Sequence, residues 1–95
     1  MDLFTIIMDL DGGTYIYQVR ANDEWDALLN WPAQLKVKEI KGLGEKMRAR
    51  IIRELEQHPE IAKPTLIDGC ANVWATVLSV WGSSMFLNIV KTAED

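Results

Sequence analysis

Two stretches near the start of the chain, Leu3 to Leu10 and Thr14 to Arg20, are rich in β-branched and aromatic residues and have the length of single strands. Successive side chains on a strand point to opposite faces, so Phe4, Ile6 and Met8 share one face and Leu3, Thr5 and Ile7 the other. In the second stretch Tyr15, Tyr17 and Val19 oppose Ile16 and Gln18. Between the two, Asp11-Gly12-Gly13 tolerates the positive φ of a tight turn, which predicts a β-hairpin. Val73 to Val80 and Met85 to Thr92, joined through Gly82-Ser83-Ser84, predict a second hairpin. There Trp74, Thr76, Leu78 and Val80 alternate with Val73, Ala75, Val77 and Ser79, and neither set is strongly polar. Both faces of the hairpins are therefore partly apolar. Helices are expected to cover one face, and a partner the other.

Between the hairpins the pattern changes to a helical one. Asn22-Asp23-Glu24 offers an N-cap and two acids in a first turn, where the helix dipole favours them. Trp25, Leu28 and Leu29 form a buried stripe, and Pro32 removes a helical N–H, so this helix is expected to run from about Asp23 and to kink or stop near Trp31. Met47, Ile51 and Leu55 fall four residues apart and predict a second helix, closed by Gln57-His58-Pro59. Pro59, Pro64 and Gly69 mark residues 58 to 70 as a connecting loop. The resulting order, β-β-α-α-β-β, predicts an α+β fold: a four-stranded antiparallel sheet with two helices packed on one face. A length of 95 residues suits one such domain, 1–95.

With 48% hydrophobic and 25% charged residues the chain has the make-up of a folded domain rather than a disordered tail. The single cysteine, Cys70, excludes an internal disulfide, and no apolar run is long enough to span a bilayer. The opening MDLFTIIMDLDGG has no positive leading region and breaks into Asp after a short apolar run, unlike a secretory signal. A cytoplasmic protein without membrane contact is the expectation.

Charge is segregated. Lys36, Lys38, Lys41, Lys46, Arg48, Arg50 and Arg53 are set against only Glu39 and Glu45, so this stretch is net +5 in a chain whose formal net charge is -4. Ile40-Lys41-Gly42-Leu43-Gly44-Glu45-Lys46 resembles the turn of a helix-hairpin-helix element, in which a glycine-hydrophobic-glycine loop joins two short helices. The resemblance covers about twenty residues and implies phosphate contacts from the backbone at Gly42, Gly44, Glu45 and Lys46, because a helix N-terminus offers unpaired N–H groups. Arg48 stands where that family usually has a small residue. Lys46, Arg50 and Arg53 complete a nucleic-acid-binding alternative. The opening FTIIMDLDGGTYIYQV and closing LNIVKTAED resemble small bacterial proteins without assigned function.

No reactive constellation stands out. His58 beside Pro59 lacks the company that a metal site of three or four ligands requires. Cys70 reads as a small apolar residue, and no spacing matches a phosphate-binding or dinucleotide loop. No cofactor and no catalysis are expected. The expected function is instead non-catalytic binding of a protein, or of a second copy, through the uncovered sheet face. Tryptophan and tyrosine combine a large apolar body with a polar handle, which singles out Trp31, Trp81, Tyr15 and Tyr17. Trp25 and Trp74 are assigned to the core. Asp9, Asp11, Asp23 and Glu24, with Asp2 and Asp26, form an acidic group suited to masking the basic active site of a nuclease toxin, as an immunity protein would.

Overall fold

The structure, a computed structural model, describes residues 1–94. In chain order its elements are β1 (Asp2–Leu10), β2 (Gly13–Ala21), α1 (Glu24–Asn30), α2 (Glu45–Gln57), β3 (Thr65–Leu66), β4 (Val73–Val80) and β5 (Ser83–Lys91). Single 3-10 turns occupy Trp31–Gln34, Val37–Glu39 and Pro59–Ala62. The strands form one antiparallel sheet in the order β2-β1-β5-β4-β3.

Both hairpins form, each with a two-residue loop. β1 and β2 pair without a bulge from Asp2 opposite Ala21 to Leu10 opposite Gly13. Asp11 and Gly12 make the turn at φ 48° and 82°, the left-handed pair whose twist matches that of the strands. In the second hairpin Val80 pairs with Ser83, so Trp81 and Gly82 make the turn, at φ 51° and 79°. This corrects the expected Gly82-Ser83-Ser84 connection: Ser83 and Ser84 already belong to β5. The two hairpins join through β1 and β5, with Ile6 opposite Ile89 and Met8 opposite Leu87.

The sheet has five strands rather than the expected four. Thr65 pairs with Ala75 and Leu66 with Trp74, inside the stretch expected as a loop. A two-residue strand is too short to show alternation, and both of its residues are exposed.

One face of the sheet carries the core. Phe4, Ile6, Met8 and Leu10 of β1 and Met85, Leu87 and Ile89 of β5 are buried beneath α1, α2 and the turns between them. Asp23 caps α1: its side chain accepts a bond from Asp26 N–H at 2.7 Å, while Asp26 Oδ2 accepts one from Asn22 N–H at 2.9 Å. The first bond satisfies a donor that the first turn leaves free, and the second fixes the residue before the cap. α1 ends at Asn30, where a 3-10 turn begins with Trp31 and Pro32. α2 turns Met47, Ile51 and Leu55 inward, as their spacing predicts, and its end at His58 precedes Pro59. No helix among the described residues is long and apolar enough to cross a membrane.

Candidate functional site

Because both helices lie on the same face, the other face of the sheet is open to solvent. The register places its side chains in rows across the strands. Ile16, Ile7, Asn88 and Ala75 form one row, and Thr14, Asp9, Phe86 and Val77 the next. Ile16 is 62%, Phe86 55% and Val77 44% exposed, whereas every second residue between them on the same strands faces the core. Beside Phe86 and Val77 is a shallow depression of about 280 Å³, with Ala75 and Asn88 on its floor. Polar contacts rim this apolar band: Thr14 Oγ1 donates to Asp9 Oδ1 at 2.5 Å, and Gln18 Nε2 donates to Thr5 Oγ1 at 3.1 Å. An apolar centre with a polar rim is the usual layout of a protein contact surface.

The acidic group is divided. Asp9 and Asp11 sit at the tip of the first hairpin, whereas Asp23 and Glu24 follow its far end, and β2 spans roughly 26 Å between them at the usual rise per residue. The capping role of Asp23 and Asp26 accounts for their place in the chain. Glu24 instead lines a cleft of about 280 Å³ with Trp25, Pro59, Glu60, Lys63 and Pro64.

Two aromatic assignments also need correction. Trp31, expected at a contact surface, is fully buried, with its indole N–H lacking a partner among the described residues. The 3-10 turn that Pro32 imposes folds this side chain under the helices instead of displaying it. Tyr15 and Tyr17 lie on the helix side, half-buried against the core, and Tyr17 Oη accepts a bond from Lys36 N–H at 3.3 Å. The residues that do populate the open face, Ile16, Val77 and Phe86, were legible as every-other positions. Both faces are apolar, however, so alternation alone does not say which face the helices take.

Trp81 is 63% exposed at the tip of the second hairpin. It shares a shallow groove of about 340 Å³ with Lys46, Ala49, Arg50 and Arg53 on the outer side of α2. Arg50 is paired with Glu54 at 2.8 Å, and Arg53 Nε donates to Gln57 at 3.4 Å. Lys46 and Arg53 have no carboxylate partner within salt-bridge distance among the described residues. Gly42 and Gly44 lie elsewhere, at the entrance to α2. The arm before them is a single 3-10 turn over Val37–Glu39 rather than an α-helix. Arg48, in place of a small residue, ties this arm to α2 by donating to Leu35 O at 3.1 Å while pairing with Glu45.

One ion pair has a resolved effect on titration. Arg20 Nη1 donates to Glu94 Oε2 at 2.9 Å on the rim of the open face. That hydrogen bond, above all, holds Glu94 below the usual glutamate range and Arg20 above the usual arginine value. His58 and Cys70 are both exposed, and His58 Nδ1 lies 3.7 Å from Glu60. No cluster of three or more His, Cys, Asp or Glu side chains with metal-binding geometry occurs among the described residues.

Comparison of the chain with protein-family models, curated proteins and solved structures finds no match.

Proposed function

We propose that the chain is a non-catalytic binding protein that works by protein–protein contact, and that the open face of the sheet is the contact surface. The observation that carries this reading is the band formed by Ile16, Ile7, Phe86 and Val77, left uncovered although the helices cover the centre of the opposite face. Burying such side chains gains about 25 cal/mol per Å² of apolar area removed from water, and a folded partner removes more of that area than solvent-facing rotamers can. The aromatic anchor is Phe86, beside a depression that receives a complementary side chain. The full chain, size-fractionated from the cells that make it, should travel in a complex with a second protein, and Phe86→Asp should travel free of that protein. A wild-type chain that travels free, or a Phe86→Asp chain still in the complex, contradicts the reading.

A second reading has its own observation. Trp81 in one groove with Lys46, Arg50 and Arg53 is the pairing of stacking platform and cations that suits single-stranded nucleic acid. Under this reading the phosphates lie along α2 and a base stacks on Trp81, with no role for Gly42 and Gly44. Titration with single-stranded DNA at low salt should quench tryptophan fluorescence, and the affinity should fall steeply as salt is added. Absence of binding at low salt removes this reading.

A further inference from the structure

The sheet has two rims, and they differ. At one, β3 covers β4 at Trp74 and Ala75. The other is β2, nine residues long, without a proline, a lysine or a bulge, and with β1 as its only neighbour among the described residues. Proteins usually blunt an exposed rim with one of those devices, because a free strand edge is a template for another strand. The single charge on the outward-facing positions of β2, Arg20, is held back by Glu94.

Hydrogen-bonded and non-bonded pairs alternate along an antiparallel ladder. Leu10 and Gly13 close a two-residue loop, so Gly13, Tyr15, Tyr17, Val19 and Ala21 bond to β1. The N–H and C=O groups of Thr14, Ile16, Gln18 and Arg20 therefore point away from the sheet. These same residues carry exposed side chains on the open face.

We infer that β2 is a self-pairing edge, which joins two copies of the chain antiparallel about a two-fold axis through Tyr17 to make one continuous ten-stranded sheet. In this register Thr14 lies opposite the second copy's Arg20 and Ile16 opposite its Gln18. Every outward-pointing group of the strand then finds a partner, and a shift of the axis to Ile16 or Gln18 leaves some unpaired. The charges also match. Arg20 is brought to the end of the second copy that carries Asp9 and Asp11, and Asp9 is two strands away, about 10 Å between backbones and within reach of an arginine side chain. Ile16 ends the apolar row begun by Ile7, and in this register the two copies' Ile16 side chains are diagonal neighbours across the seam, so the two bands meet there. On the helix side Tyr15 and Tyr17 are only half-buried, so the helix layer leaves the rim accessible. A two-fold contact closes on itself, whereas pairing of β2 with the free part of β4 in another copy would propagate into a filament.

This contact uses the rim and is independent of what covers the face. Sedimentation of the full chain from low to high micromolar concentration should show its mass doubling. Amide exchange at Ile16 and Gln18 should slow at least about tenfold over the same range, with no change at amides already bonded to β1. Gln18→Pro removes one outward-pointing backbone N–H and the exposed side-chain bond to Thr5, a substitution that rim strands accept, and should give a folded monomer. Ile16→Lys is a second block that leaves the backbone alone and should do the same. Phe86→Asp, two strands inward, should leave the doubling intact while removing the face contact, which separates the two ideas. A chain that stays monomeric throughout overturns the inference. So does a dimer in which the Ile16 and Gln18 amides exchange freely, or one that survives both rim substitutions.

Discussion

The carboxylate of Asp11 lies against Gly42: a Cβ placed on Gly42 would stand 2.9 Å from Asp11 Oδ2. The tip of the first hairpin is thereby packed onto the loop that leads into α2. Gly42 also has φ +85°, a conformation that costs an L-residue on the order of 1 kcal/mol. Gly42→Ala should therefore lower the unfolding free energy by about 1–2 kcal/mol in a urea melt. Adding Asp11→Gly should recover the part due to the close approach, leaving the backbone part.

Trp81 occupies a left-handed turn position, φ +51°, that bulky side chains rarely adopt and that asparagine before glycine suits well. Trp81→Asn should raise stability by roughly 1 kcal/mol, read as a higher thermal midpoint. If the groove beside α2 binds a polyanion, the same substitution should abolish that binding. A gain in stability coupled to a loss of binding is what a residue kept for contact rather than for folding shows.

Neighbouring positions on β5 should respond by very different amounts. Phe86 faces solvent and Leu87 is 1% exposed. Phe86→Ser should change stability by about 1 kcal/mol or less, whereas Leu87→Ala should cost about 2–5 kcal/mol through lost burial and a residual cavity. Denaturant unfolding of the two variants measures both.

Glu94 should titrate below an ordinary glutamate, because the hydrogen bond from Arg20 favours its charged form. A depressed folded-state pKa means that the contribution to stability is present above the unfolded value and is lost as pH falls through the folded one. The raised pKa of Arg20 acts only at strongly alkaline pH, so it adds no slope near neutrality. Carboxylate chemical shifts followed against pH should place the Glu94 midpoint low, and Arg20→Gln should return it to the usual range.

The local parts of this fold were legible because they are encoded locally. Asp11-Gly12 and the alternation on either side place β1 and β2 within a residue of their observed ends. The spacing of Met47, Ile51 and Leu55 identifies the buried side of α2. Pairing of β1 with β5 is different: it sets Phe4 against Lys91, almost the whole chain apart, and no local pattern specifies it. β3 was missed because two exposed residues after two prolines have no period. Of the site, the cations of α2 were legible from charge alone. Their meeting with Trp81 depends on how the second hairpin is laid against the helix, which residue spacing does not specify. Trp31 misled because a tryptophan before a proline reads as a surface turn, whereas this turn folds inward.

The central claim is that the uncovered sheet face is where another protein sits. The most direct measurement is photo-cross-linking in the native cell, with a photoreactive residue at Phe86 on the open face and, separately, at Ile61, which is 49% exposed outside that face. A discrete protein adduct from position 86 and none from position 61 is expected. No adduct at position 86, or the same adduct from both positions, would contradict the account.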